Sequence, residues 1–479
     1  MSVSARATQP MAVPATAAAL VTATPDPATG AALVTATPDP ALLRLAGVCD
    51  TGTFKPLRSN VGDGVLAGSG RVGGRPVYVW AQQLSHMGGS LGTQGGRTIA
   101  RVIRMAAGSR APVIGFPASG GARLQEGIAA LNAYGSIFRA QVLADVPQIS
   151  VISGPCAGGA AYSPALGDFT IMAGAESQMF LTGPKVVERV MRESVTHDEL
   201  GGPRVHRANG VAHLVAGDEA EAAGLARALI GFLPQVAKGP LPIEAPVAPL
   251  AGDPSGPVPA EPRKVYDVRD VAERIADLDS LLEVAPRWAR NMVCGFARLE
   301  GHPIGVIANQ PRHLGGTIDA DASEKGAWFV DLCNRFGLPL AVLVDTTGFL
   351  PGTRQEQAGV IRHGASLVRA FAGATVPRAT VILRQAFGGA HIAMNSRDLG
   401  ATVSLAWEGA RIGVMGARQA VEIIDRRAIA AGADAGALAD AYEELHLSAA
   451  QAAAAGEIDE LIAPADTRER LVAALGAWS

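Results

Sequence analysis

QISVISGPCAGGAAYSPALGDFTIMAG, residues 148–174, reads as a buried strand, a glycine-rich turn, a short helix and a second strand. The β-branched runs 148–153 and 168–174 are bounded by Gly and Pro, which mark strand ends. Between them, Gly158-Gly159-Ala160 falls at a helix start. Glycines there let the backbone approach a ligand closely, and successive N–H groups at a helix N-terminus form an anion-binding concavity. Paired glycines can equally serve only tight strand–helix packing. One such turn leaves both readings open.

The turn recurs. ATVILRQAFGGA (379–390) repeats the strand and ends in Gly388-Gly389-Ala390. Shifting residues 125–168 forward by 230 positions, without a gap, gives 14 identities in 44. They include Gln125/Gln355, Glu126/Glu356, Arg139/Arg369, Ala140/Ala370, Val146/Val376, Pro147/Pro377 and Asp168/Asp398, besides the two Gly-Gly-Ala turns. Biased composition does not place these dipeptides in one order and register. The chain is a duplicated domain.

Outward from the turns, short apolar strands alternate with helical patterns. In the first half, 76–82 and 111–116 read as strands, and 98–107 and 127–144 as helices. In the second, 302–309 and 339–345 read as strands, and 325–337 and 359–373 as helices. That alternation implies an α/β fold with buried sheets. Nine prolines between Pro234 and Pro262 predict an extended linker over 236–262, dividing a first domain (42–235) from a second (263–479). Residues 1–41 hold an exact tandem copy, AALVTATPDPA at 18–28 and 31–41, with almost no charge or large side chains. Such a segment predicts a disordered tail rather than a signal peptide, since Arg6 is its only basic residue.

With 479 residues, 48% hydrophobic and 18% charged, the chain has material for two or three domains at roughly 150 residues each. The net charge of −3 and scattered Lys and Arg argue against a nucleic-acid or polybasic membrane partner. No apolar run reaches the roughly 18 residues that cross a bilayer. Four cysteines without a CxxC pair offer neither a zinc ribbon nor a disulfide framework, so no metal is expected and the thiols suit a reducing cytoplasm.

Two cradles suggest two carbonyl groups, each stabilised as negative charge passes through it. Removing one donor from such a site costs on the order of 10²–10³ in rate. A transfer between two carbonyl-type reactants fits this better than hydrolysis of one. No serine nucleophile elbow, HExxH or GxxxxGK[ST] is read, and the glycine-rich GGSLG (88–92) is weak evidence alone.

Several stretches then carry a family resemblance. SGGARLQEG (119–127), GPCAGGAAYSPAL (154–166), DASEKGAWFV (321–330), GFLPGTRQEQAGVIRHGA (348–365), ATVPRATVILRQAFGGA (374–390) and GVMGARQAVEII (413–424) resemble the carboxyltransferase β-subunits of biotin-dependent acyl-CoA carboxylases, propionyl-CoA carboxylase type. The resemblance spans about 42–475 in order. It implies two tandem crotonase/ClpP-like ββα spiral domains, a hexamer with active sites between subunits, and an enzyme that moves a carboxyl group from carboxybiotin to the α-carbon of a short-chain acyl-CoA. Gly158, Gly159 and Ala160 match the motif facing the thioester oxygen; Gly388, Gly389 and Ala390 match the one facing the ureido oxygen of biotin. Substrate contacts are implied at Gly88, Gly89, Gly120, Gly121, Ala122 and Tyr162, and at His391 and Ile392. Biotin would be carried by a partner subunit holding the biotin carboxylase and carrier functions, since no Met-Lys-Met biotinylation signature is present.

The sequence departs from the family beside both turns. Pro117-Ala118 stand where relatives have Asn-Asp, and Asp345-Thr346-Thr347-Gly348-Phe349 replaces Asp-Val-Pro-Gly-Phe. His391-Ile392 replace a Tyr and an acidic residue associated with acyl choice, which suggests a more apolar acyl pocket. A decarboxylase or transcarboxylase component acting on a malonyl-type thioester, and a non-catalytic acyl-CoA scaffold, remain the alternatives.

Overall fold

The computed structural model describes residues 39–57, 62–261 and 264–476. Most of the tail expected over 1–41 lies outside these. Its last residues instead open a helix, Pro40–Val48, where Asp39 accepts from the Ala41 amide and Pro40 supplies a preset φ at the first turn.

Each half is built on one large sheet, and the first also holds a two-stranded parallel sheet of Pro155–Ala157 with Gln178–Phe180. The first large sheet runs, in both chain and spatial order, through Lys55–Pro56, Val65–Val72, Arg75–Gln82, Val113–Phe116, Gln148–Ile152, Phe169–Ala173 and Leu214–Ala216. An antiparallel hairpin, with Val65 opposite Gln82, leads into parallel pairs such as Ile114 with Ile149. The second sheet repeats the plan with Leu282–Val284, Met292–Leu299, His302–Asn309, Leu340–Thr346, Arg378–Phe387, Val403–Trp407 and Glu460–Ile462. Val342 pairs with Thr380 there, again parallel. Strand runs of Val and Ile, buried on both faces, are what a parallel sheet covered by helices requires. The duplicated α/β plan expected from the repeat is the one observed.

Two helices pair with each other in each half. Thr93–Gly108 lies against Ile128–Val142, and Ala320–Phe336 against Val360–Gly373. The hairpin partners Val65–Val72 and Met292–Leu299 were not legible, because glycines at 68, 70 and 295 interrupt their apolar pattern.

One core runs through both halves. Phe232 stacks on Phe296 at 5.7 Å, Phe296 meets Phe169 at 5.9 Å, and Phe169 meets Trp328 at 6.2 Å. Buried Arg298 donates to the carbonyls of Gly231, Pro242 and Gly301, tying the last helix of the first half to the second sheet. Residues 236–261 form no helix or strand, but they are packed rather than loose. Glu244 donates its amide to Gly301 at 3.0 Å, and Leu241 and Val258 lie against the cores. The two cradles are therefore held on one body.

Candidate functional site

Each half closes three loops around its Gly-Gly-Ala turn. In the first half, Gly88 and Gly89 take φ of +65° and +68°, and a Cβ on Gly89 would sit 2.1 Å from the Ala118 carbonyl oxygen. Only glycine lets this turn close on the next loop. The Gly120 amide donates to Gly88 at 3.3 Å, and the Leu91 amide to Gly121 at 2.9 Å. Ser119 Oγ accepts from the Gly121 amide at 3.1 Å. Gly158, at φ +63°, then brings its backbone beside Gly121, so that a Cβ there would lie 3.8 Å from the Gly121 Cα. Gly88, Gly89, Gly120, Gly121, Ala122 and Gly158 are thus brought together.

The amides of Gly159 and Ala160 open the helix Gly159–Leu166, and among the described residues neither finds an acceptor. They are the donors this loop cluster offers. Beneath them lies the buried Tyr134 ring, 3.0 Å from where a Cβ on Gly159 would stand, with its Oη 3.4 Å from Ser119 Oγ. Burial pushes the Tyr134 hydroxyl and the Cys156 thiol each up to about 12, so both are neutral at pH 7. The partial positive charge of this loop cluster therefore lies on the amides and the helix N-terminus.

The second half repeats this. Gly315 and Gly316 take φ of +62° and +74°, and a Cβ on Gly316 would meet the Asp345 carbonyl oxygen at 2.5 Å. The Ile318 amide donates to Gly348 at 3.0 Å, and Thr346 Oγ1 accepts from the Gly348 amide at 3.3 Å. Gly388 takes φ +58°, and the Gly389 and Ala390 amides lie in the first turn of Gly388–Ala393 without a partner among the described residues. The ring near Gly389 is Phe349, 3.7 Å from its Cβ position. Below the loop, buried Asp345 accepts from Tyr266 Oη at 2.9 Å and Arg384 Nε at 3.0 Å. Burial pushes its carboxyl up to about 6 despite Arg384.

The other expected residues are placed differently. Tyr162 is half exposed and packs on Phe138 at 6.1 Å, in a cavity of about 610 Å³ lined also by Val142, Leu143 and Leu166. Its ring belongs to that cavity. His391 is half-buried; burial lowers its imidazole pKa, while nearby Glu457 and Asp398 raise it. Ile392, one residue on, is exposed.

One sequence reading needs correction. GGSLG (88–92) does carry the GxSxG spacing of a nucleophile elbow. Ser90 nevertheless sits at the end of the glycine turn, where its carbonyl and hydroxyl accept from Arg123 at 2.9 and 3.5 Å, and among the described residues no imidazole is bonded to it. Gly315, Gly316, Ser119, Tyr134, Thr346 and Phe349 were missed. A signal for the first two exists: HMGGS (86–90) and HLGGT (313–317) match at a shift of 227, three short of 230. Among the described residues no three His, Cys, Asp or Glu side chains converge as metal ligands would, and no helix is long and apolar enough to cross a membrane.

A family profile described as carboxyl transferase domain matches residues 50–478. The chain is 45% identical to the propionyl-CoA carboxylase beta chain of Saccharopolyspora erythraea, over 86% of this chain and 80% of that one. It is 44% identical to the methylmalonyl-CoA carboxyltransferase 12S subunit of Propionibacterium freudenreichii subsp. shermanii, over 87% and 81%. A crystal structure of transcarboxylase 12S, described as a hexamer assembly with methylmalonyl-coenzyme A and methylmalonic acid bound, superposes with a TM-score of 0.87 at 42% identity, covering 91% of this chain and 89% of that one.

Proposed function

Since the chain belongs to the carboxyl transferase domain family and is a carboxyltransferase of the propionyl-CoA carboxylase and transcarboxylase type, we propose that it carboxylates the α-carbon of a short-chain acyl-CoA, taking the carboxyl group from carboxybiotin on a separate subunit. The observation that carries this reading is the pair of cradles, each presenting at a helix start two amides that no described residue claims. In the first, Gly159 and Ala160 would donate to the thioester oxygen and hold the negative charge of an enolate. In the second, Gly389 and Ala390 would donate to the ureido oxygen of biotin. Carboxybiotin itself supplies CO₂ and, on losing it, the base for the α-proton, so no protein base is required. The fold contributes donors fixed before reaction, which need no reorganisation as charge develops, and orientation of the two guests.

Assembly follows from exposed apolar residues that recur at matching places in both halves. Leu131 and Ile361, Tyr162 and Ile392, Leu181 and Val414, Val190 and Ile423, and Met191 and Ile424 are all surface-exposed. A face repeated in this way supports contact between the first half of one copy and the second half of another, as a hexamer with shared sites would need. Ile392 would then border the acyl pocket from the neighbouring copy and favour an apolar acyl group.

A second direction has its own support, because a transcarboxylase subunit is almost as similar to this chain as a carboxylase subunit. The test is reconstitution. With a biotinylated partner carrying biotin carboxylase, the chain is expected to carboxylate acyl-CoAs in an ATP-dependent reaction, and without it to show no ATP turnover. ATP turnover by the chain alone, or transfer only from a malonyl-type thioester, would overturn carboxylation as the physiological direction.

A further inference from the structure

Both cradles stand over an aromatic ring, and the two rings come from different places in the chain. Two parallel bridges, Leu91 with Ala122 and Ile318 with Phe349, set the equivalence, so that Phe349 occupies the position of Ala122. Three residues later in the alignment the shift has grown to 230, and Gly364 occupies the position of Tyr134. In the first half the loop residue is Ala122 and the ring rises from the helix at Tyr134. In the second half the ring comes from the loop at Phe349, and the helix carries Gly364. A Cβ on Gly364 would sit 3.1 Å from the Phe349 ring, so the glycine is what admits it. Each ring ends beneath the middle glycine of its own turn: Tyr134 at 3.0 Å from the Cβ position of Gly159, Phe349 at 3.7 Å from that of Gly389.

An exchange of large and small side chains that keeps a ring in one place points to the ring as the conserved part. We propose that Tyr134 and Phe349 are positioning residues, each the floor that fixes the direction of the cradle amides above it. The phenol hydroxyl is not the working group, because Phe349 has none. Among the described residues Tyr134 Oη reaches only Ser119 Oγ, at 3.4 Å, beyond the usual range of a strong hydroxyl bond. Amides aimed at a developing oxyanion lose much of their effect when displaced by about 1 Å, which costs about a hundredfold in rate. An empty floor would permit such a displacement without removing any donor.

This inference rests on the carboxyl-transfer reading, and the experiment separates the two. The full chain is assayed with its biotinylated partner for acyl-CoA carboxylation, measuring kcat, KM and melting temperature. Tyr134→Phe is expected to stay within about twofold of wild type, and Tyr134→Ala to lose about tenfold to a hundredfold in kcat, with KM for the thioester nearly unchanged. The exchange variant Ala122→Phe/Tyr134→Gly, which copies the second half into the first, is expected to recover most of that loss. Phe349→Ala is expected to lower kcat in the same way through the other cradle. Wild-type kcat in folded Tyr134→Ala or in Phe349→Ala would overturn the proposal. So would Tyr134→Phe as impaired as Tyr134→Ala, which would move the role to the hydroxyl. Should Tyr134→Ala not fold, the exchange variant and Phe349→Ala decide. A wild-type chain that transfers no carboxyl group fails the functional reading instead.

Discussion

His213 and Asp459 stand at one place in the two halves and do one job with different chemistry. Each precedes the last strand of its sheet and pairs with the strand before it. The Thr170 amide donates to His213 Nδ1 at 3.0 Å, and the His213 amide returns a bond to Thr170. In the second half the Ser404 amide donates to Asp459 Oδ2 at 2.8 Å, and the Asp459 amide donates back to Ser404. The surroundings differ. His213 is stacked on Trp328 at 4.5 Å, where the halves meet, and burial pushes its imidazole down to about 4. Asp459 lies near the surface, with Arg397 at 3.0 Å. The repeat preserves the acceptor and lets its chemistry follow the environment: an imidazole against an aromatic ring, a carboxyl group beside an arginine near water.

The same comparison at the cradles gives the largest expected effect. Gly159→Val and Gly389→Val should each lose about a hundredfold in transfer rate, because a side chain there presses on the ring beneath the turn and shifts the amides above it. They should differ in stability. A Cβ on Gly159 presses on the buried Tyr134 ring at 3.0 Å, whereas one on Gly389 makes ordinary contact with Phe349 at 3.7 Å. Reconstituted turnover and thermal melts of both variants check this: equal losses of activity, with a lowered melting temperature only for Gly159→Val. Full activity in either variant would show its turn to be a packing device.

Residue identity made some of this visible beforehand. The Gly-Gly-Ala turns lie in a stretch of uniform shift, and their positive φ at Gly158 and Gly388 forces one residue type on both halves. The strands were readable because burial on both faces demands continuous apolar runs. What could not be read were functions kept by geometry while residues changed. Glu126 accepts from the amide that opens Thr93–Gly108, at 2.6 Å, yet in the second half Gln355 bonds the matching Ala320 amide at 3.1 Å, although Glu126 aligns with Glu356. The floors beneath the cradles were hidden twice, by a swap of ring and small residue and by the three residues inserted between Phe349 and Gln355. Tyr162 followed from the family resemblance alone. One helical turn carries it onto the outer face.

Copying one half's acceptor into the other probes the role of environment. His213→Asp should cost about 2–3 kcal/mol at pH 7, since a carboxylate would face Trp328 with no cation in place of Arg397. Asp459→His, near the surface, should stay within about 1 kcal/mol. Denaturant titration of both variants measures the asymmetry, and equal costs would break the comparison.

The pH dependence of stability should differ in a way that only the first half explains. The folded imidazole of His213 titrates near 4, below its ordinary value of 6.5, so between these limits the unfolded chain binds the extra proton. Stability carried by the neutral ring is therefore complete above pH 6.5 and lost as pH falls toward 4. Asp168 and Asp345, both raised to about 6 by burial, act in the opposite sense over the same range, so the contribution must be read as a difference. Relative to His213→Asn, which keeps an acceptor for Thr170, wild type should lose about 2 kcal/mol between pH 7 and pH 4.5. Parallel stability curves for the two proteins would remove His213 as the cause.

Asp168 and Asp398 sharpen the comparison from the other side, because here the residue is conserved and the role is not. Asp168 is buried, accepting from Arg335 at 2.7 Å and from the Gln148 amide at 2.8 Å, and Arg335 also donates to the Ala144 carbonyl. The arginine comes from the second half, so this pair clamps the halves together. Asp398 is exposed and makes no such bond. Arg335→Leu should cost about 1–2 kcal/mol at pH 8, less than a fully buried pair because the Arg335 side chain is 37% exposed. The cost should shrink at pH 5, where the isolated carboxyl, already displaced upward by burial, takes a proton instead of carrying an unpaired charge. Asp398→Ala should stay within about 0.5 kcal/mol at either pH. A pH-independent cost for Arg335→Leu would mean that the arginine works through packing and its bond to Ala144. A matching loss in Asp398→Ala would mean that the repeated aspartate supports its strand in both halves, and that the contact between halves is incidental to its retention.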